Sequence, residues 1–292
     1  MVRLVIHPLS LTFNVQEVET KYARHRTQSS HLLSDRSLVV ITVPLLLTCV
    51  AFECVGQTDS LSLATGVVSL LTYALQWLLM NSNGPYGWER RREAYVLVLR
   101  ILRLLIAVVG VLNWKGDFVG EDGSLFKNLA MRSGVLCNVW FAWGMPLLFK
   151  RHVWVQIWSL GMLLAVPGRA VCQEAFLSTK GRKLLVTRWK EVDDFFQVFT
   201  RGTPSSVAPE IFTGCFQLAA LIHIVVGLLL PSFVLWHCEL QSRREYVQTI
   251  GAREGAQQYS LDETWVPDPA RTIVLLGMSV ATLWMAMSQL ST

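Results

Sequence analysis

Charge is scarce in this chain: of 292 residues only 16% are Asp, Glu, Lys or Arg and 52% are hydrophobic, whereas an ordinary soluble domain carries about 25% charged residues. A water-soluble fold of this composition leaves much apolar surface wet. Catalytic signatures are missing too. There is no His-Glu-x-x-His, clustered histidine box, Gly-x-Ser-x-Gly or phosphate-binding loop. Gly116-Asp117 stands alone, where an intramembrane aspartyl protease needs two aspartates in separate spans. The chain is therefore expected to be non-enzymatic, with no cofactor and no metal.

Three further absences narrow the class. Period-two alternation is lacking, which argues against an outer-membrane barrel. No Asn-x-Ser/Thr sequon occurs, so glycosylation says nothing about sidedness. Residues 1–36 contain Arg3, Lys21, Arg24, Arg26 and Arg36 but no apolar core of a signal peptide, so the first span is expected to act as its own insertion signal.

What is present is a series of long apolar blocks, at 38–56, 61–81, 94–112, 129–149, 153–172, 211–236 and 272–290. Most match the 20 or so residues that a helix needs to cross about 30 Å of hydrocarbon. In lipid a helix satisfies its own backbone. The expected fold is all-α: a polytopic bundle of seven hydrophobic helices making six or seven crossings, with amphipathic surface helices. The six cysteines, Cys49, Cys54, Cys137, Cys172, Cys215 and Cys238, lie in or at the ends of these blocks, which favours buried free thiols over a disulfide framework.

Lys and Arg concentrate on the cytoplasmic side. With seven crossings and a cytoplasmic N-terminus, fourteen fall inside and eight outside; if 94–112 stays in the interface or re-enters, eighteen fall inside and six outside. Hydropathy sets thirteen large apolar residues in that block against Arg100 and Arg103 and sums close to zero. A helix at 94–112 is expected, leaning toward a crossing in which the arginines face other helices and Leu102, Leu105 and Val109 face lipid. Both topologies put the N-terminus in the cytoplasm and disagree about the C-terminus. The formal charge of +5 sits mainly beside apolar blocks, which points to the bilayer and anionic headgroups on the cytoplasmic side as partners and not to nucleic acid.

The division expected is a cytoplasmic segment at 1–37 and a single transmembrane domain at 38–292. In the first, Phe13-Asn14-Val15-Gln16-Glu17-Val18 reads as a helix start, with Asn14 as N-cap, Glu17 closing a capping box and Phe13 stapled to Val18. That helix either lies on the surface or runs into the first span. Between the fifth and sixth blocks, Leu185, Trp189, Val192, Phe196 and Phe199 form an amphipathic stripe over about 182–200. An in-plane interfacial helix is the first reading, and packing on a neighbouring helix or a protein partner the second. Residues 237–270 read as a polar loop or short helix.

Ionisable groups at membrane depth are costly, so they are the first places to look for function. The candidates are Glu53, Arg100, Arg103, Gln217 and His223. Arg100 and Arg103 share a helix face and have the spacing of a voltage sensor, but sensing needs about three or four charges per helix; snorkelling or static pairing is the leading expectation. His223 lacks the company that a metal needs, and an interhelical hydrogen bond is expected of it. Pro44, Pro146, Pro167 and Pro231 in or near the blocks read as ordinary helix irregularities. Two functions follow: a non-catalytic membrane protein in sensing, scaffolding or anchoring, and, as the alternative, a transporter or channel with a polar pathway near Arg100, Arg103 and His223.

Overall fold

The computed structural model describes residues 2–7, 10–55, 60–82, 88–113, 125–200, 210–253, 259–262 and 269–289. They are overwhelmingly helical: α1 (Gln16–Arg26), α2 (Leu32–Val55), α3 (Ser60–Asn81), α4 (Trp88–Leu112), α5 (Leu125–Arg132), α6 (Val135–Gly144), α7 (Phe149–Leu163), α8 (Arg169–Leu177), α9 (Thr179–Thr200), α10 (Ile211–Ile222), α11 (Leu230–Arg253) and α12 (Pro269–Gln289). Two short strands, β1 (Val2–Val5) and β2 (Tyr259–Asp262), pair in parallel with Val2 opposite Tyr259.

Among the described residues, five stretches are long and apolar enough to cross a membrane: Leu32–Ala51, Leu63–Asn81, Arg91–Leu112, Phe149–Leu177 and Ile211–Thr249. Seven hydrophobic helices were expected, and that count is not confirmed; two shorter apolar helices, Val135–Gly144 and Thr272–Ser288, accompany the five. The block at 129–149 is not one helix. It breaks after α5, where Gly134 takes φ +76°, a left-handed turn that costs an L side chain about 1–2 kcal/mol; its second piece ends at Gly144, just before Pro146. The last block stays helical but is a shorter apolar stretch, Thr272–Ser288.

Three segments of wider π turns interrupt the helices, Thr27–His31, Leu164–Gly168 and His223–Leu229. Pro167 sits inside the second and Pro231 just after the third. Each lacks the N–H that would bond one turn back, and its ring crowds the carbonyl there, so widening that turn relieves the clash. The N-terminal helix leads through the first π segment into α2, the second of the two courses open to it.

The chain divides into two compact units, each built from three separate stretches of sequence. Unit 1 comprises Met1–Ile106, Trp140–Ile157 and Pro231–Val266; unit 2 comprises Ala107–Val139, Trp158–Leu230 and Pro267–Thr292. Residues 1–37 belong to unit 1.

In unit 1, Ile6, Leu11, Phe13, Val18 and Tyr22 pack on Leu240, Tyr246 and Val247. The expected capping box does not form. Asn14 bonds instead to Val5, accepting at Oδ1 from its amide at 3.1 Å, while Glu19 takes the Phe13 amide at 2.9 Å and Glu17 pairs with Lys21. A loop before the helix supplies better-placed donors than the helix's own first turn. Residues 237–253, expected as a loop or short helix, prolong α11 well past the apolar block. Arg243 explains this: it donates to Glu19 (2.6 and 2.9 Å) and to Glu239 one turn back (3.1 and 2.7 Å), and its guanidinium lies over Tyr22 and Phe13. Glu239 also takes the Phe149 amide at 2.7 Å. Tyr22, enclosed beside this network, has its phenol pushed up to about 12, by burial first and by Glu239 second.

In unit 2 the stripe expected to face headgroups faces protein. Leu185 and Trp189 are buried, and Val192 and Phe196 pack beside them, in a core shared with α8, α10 and α12. Trp189 donates to Gln217 Oε1 at 2.7 Å and Trp284 to Asp193 at 3.1 Å. The side chain of Phe199 lies outside the described residues. A disulfide joins Cys172 to Cys215, correcting the expectation of free thiols at that pair; Cys49, Cys137 and Cys238 are free. Two apolar helices meeting at these positions bring together cysteines 43 residues apart, a proximity no local pattern encodes.

Candidate functional site

Unit 1 holds a line of buried polar side chains on α2, α3, α4 and α7. On α4, Arg92, Val96, Leu99, Arg100, Leu104 and Arg103 are all buried, at the three- and four-residue intervals of one helix face. Leu102, Leu105 and Val109 are exposed. The inward arginines meet groups from other helices, so they do not snorkel.

Arg92 is held by Asp35 of α2, Nε to Oδ2 at 2.6 Å and Nη2 to Oδ1 at 2.7 Å. Trp88 adds a bond to the same carboxylate at 2.9 Å. Charge-assisted paired bonds of this kind are the strong class. Arg92 also reaches Glu93 at 3.3 Å, which in turn meets the exposed Arg151 at 3.5 Å.

Arg103 has no carboxylate partner among the described residues. It donates to Thr72 Oγ1 (3.2 Å), the Thr72 carbonyl (3.3 Å), Gln76 Oε1 (2.8 Å) and Met145 Sδ (3.1 Å), and its guanidinium stacks 3.6 Å from the Tyr73 ring centre. Gln76 passes the chain on, donating to the Asp35 carbonyl at 3.2 Å. A planar fork can use all these directions at once, which an ammonium cannot.

Arg100 is different. Nη2 donates to Gln156 Oε1 at 2.8 Å, but Nη1 finds no hydrogen-bond partner among the described residues. One turn before Gln156 on α7, His152 is fully enclosed at 0% exposure, and among the described residues neither of its ring nitrogens is partnered.

The other candidates lie elsewhere. Gln217 and His223 belong to unit 2: Gln217 takes the Trp189 indole N–H and donates to the Met287 carbonyl at 2.7 Å, while His223 Nδ1 donates to the Ala219 carbonyl of its own helix at 2.7 Å. Besides this local bond, a backbone group of Ser133, outside that helix, also acts on the His223 ring. The side chain of Glu53 lies outside the described residues. The structure thus joins Arg103 to a network with Asp35 and Arg92, with Arg100 on the same helix face, and gives Gln217 and His223 separate partners. Among the described residues no group of three or more His, Cys, Asp or Glu side chains could hold a metal.

Asp35, Trp88, Arg92, Gln76, His152 and Gln156 were not foreseen. Asp35 and Arg92 read as solvated flanks of apolar blocks. Continuing the Arg100 and Arg103 face back two turns would have reached Val96 and Arg92. No family model, curated protein or solved structure matches this chain.

Proposed function

We propose that this chain is a non-catalytic, multi-pass integral membrane protein that works in sensing, scaffolding or anchoring, with its N-terminus in the cytoplasm and anionic headgroups beside its basic flanks. The supporting observation is how unit 1 uses its polar groups. Asp35, Arg92, Gln76, Arg103 and Thr72 are bonded to one another, as a rigid framework requires, and an open aqueous path would need them facing water. The helices that carry this framework, α2, α3 and α4, are among the five of the described residues that are long and apolar enough to span, and their outward side chains include Val40, Leu45, Leu71, Leu78 and Val98. A protein partner at α9 would meet its outer side, where Phe195 and Val198 are exposed.

A transporter or channel is the second reading, favoured by Arg100 Nη1 and the His152 ring nitrogens, which have no hydrogen-bond partner among the described residues. Reconstitution into proteoliposomes separates the two. Under the scaffold reading, halide and cation fluxes equal those of empty vesicles. A flux lost in the Arg100→Gln, Arg103→Gln double variant at equal incorporation would establish the second reading instead.

A further inference from the structure

Leaving aside the exposed Arg151, which also meets Glu93, three guanidinia and two carboxylates make up the unit 1 line: Arg92, Arg100 and Arg103 against Asp35 and Glu93. Both carboxylates contact Arg92. Arg103 is satisfied by neutral groups and an aromatic face. Among these groups the surplus is one positive charge, and it falls to Arg100, which is 3% exposed, donates through Nη2 to Gln156, leaves Nη1 unpartnered among the described residues, and feels the charge of Arg92 more strongly than the opposing charge of Glu93. A buried cation without a counter-charge is strongly disfavoured, and so is a buried N–H without an acceptor.

His152 adds a second enclosed donor on α7. It lies one turn from Gln156 on α7, within electrostatic reach of Arg100. A neutral imidazole carries one N–H, and here neither nitrogen meets a protein group among the described residues. Two adjacent elements therefore each present an unused donor from an enclosed side chain.

We propose that Arg100 Nη1 and an imidazole N–H of His152 bind a compact inorganic monoanion of halide size, held beside Gln156. The valence follows from the surplus of one charge. Small size follows from enclosure, since Arg100, His152 and Gln156 are all buried. The site rests on neither functional reading: a fixed anion would complete a scaffold, and an exchanging one would be cargo.

The test uses full-length protein in nanodiscs of zwitterionic lipid, with potassium chloride or bromide exchanged against potassium gluconate at constant ionic strength. A ligand that binds only the folded state raises its stability with concentration. The melting temperature is expected to rise by several degrees between about 1 and 300 mM halide. Arg100→Gln and His152→Gln should each flatten the response, while Lys190→Gln, at an exposed cation on α9, should keep it. If both site variants fail to fold, line broadening of the chloride NMR signal by the unmodified protein, reversed by bromide, supports the site. No halide response in the unmodified protein overturns it. So does a response that survives in both variants, or one produced only by phosphate or by anionic lipid.

Discussion

Arg92 and Asp35 form a two-pronged ion pair, at 2.6 and 2.7 Å, between side chains that are 1% and 0% exposed. The pair joins α4 to α2, and Trp88 closes on the same carboxylate. Removing one member of such a pair strands the other. Asp35→Asn is therefore expected to destabilise the protein by about 3–5 kcal/mol, read as a lowered melting temperature in detergent. Asp35→Leu combined with Arg92→Met should recover most of that loss, because no charge is then left unpaired. A double variant as unstable as the single one would contradict the assignment.

The Cys172–Cys215 disulfide closes a span of 43 residues, and chain entropy for such a loop gives up to about 4 kcal/mol of stabilisation. Both cysteines should resist maleimide in the unfolded, unreduced protein and react after reduction. Cys172→Ser should lower the melting temperature and free Cys215 for labelling. Equal labelling with and without reductant would exclude the bridge.

Gly227 lies where a Cβ would come within 2.5 Å of Leu160 Cδ2 and 2.7 Å of Val135 Cγ2. Overpacking of this kind typically costs about 1–3 kcal/mol. Gly227→Ala should fall in that range by thermal unfolding. Gly277, where a Cβ meets no atom within 4 Å, should accept alanine with little change.

Hydrophobicity made the helical class and most spans legible, since block length alone limits the choices. The break at Gly134 was hidden within an apolar block, although Arg132 and Ser133 stand just before it. Polar 237–253 read as a loop or short helix, and its full helical length was hidden because Glu19, 224 residues away, holds Arg243. The stripe on α9 was visible, but its partner was not, since periodicity reports a buried face without saying whether protein or lipid buries it. For the site, Arg100 and Arg103 were legible as intramembrane charges. Asp35 and Arg92 were not, because a charge just outside an apolar block looks solvated until a tertiary partner encloses it.

His31 is enclosed at the junction of α1 and α2. Burial, then the positive charges of Arg92 and Arg26, hold its imidazole well below the ordinary 6.5. The unfolded chain takes up a proton near 6.5 while the folded chain resists it, so stability is full above that value and declines as pH falls below it. Melting curves from about pH 8 to pH 5 should show this decline in the unmodified protein and a weaker one in His31→Leu. Parallel curves for the two proteins would show that His31 does not carry it.

The central claim is that lipid is the solvent for the outward faces of these helices. Of the window Leu32–Ala51, 17% is buried inside the protein, and the rest is too apolar to meet water. Alkaline carbonate extraction of membranes carrying the full-length chain, followed by detergent extraction, tests this directly. The account predicts that the protein stays in the carbonate-washed pellet and is released only by detergent. Recovery in the detergent-free supernatant as a folded, monodisperse species would contradict it.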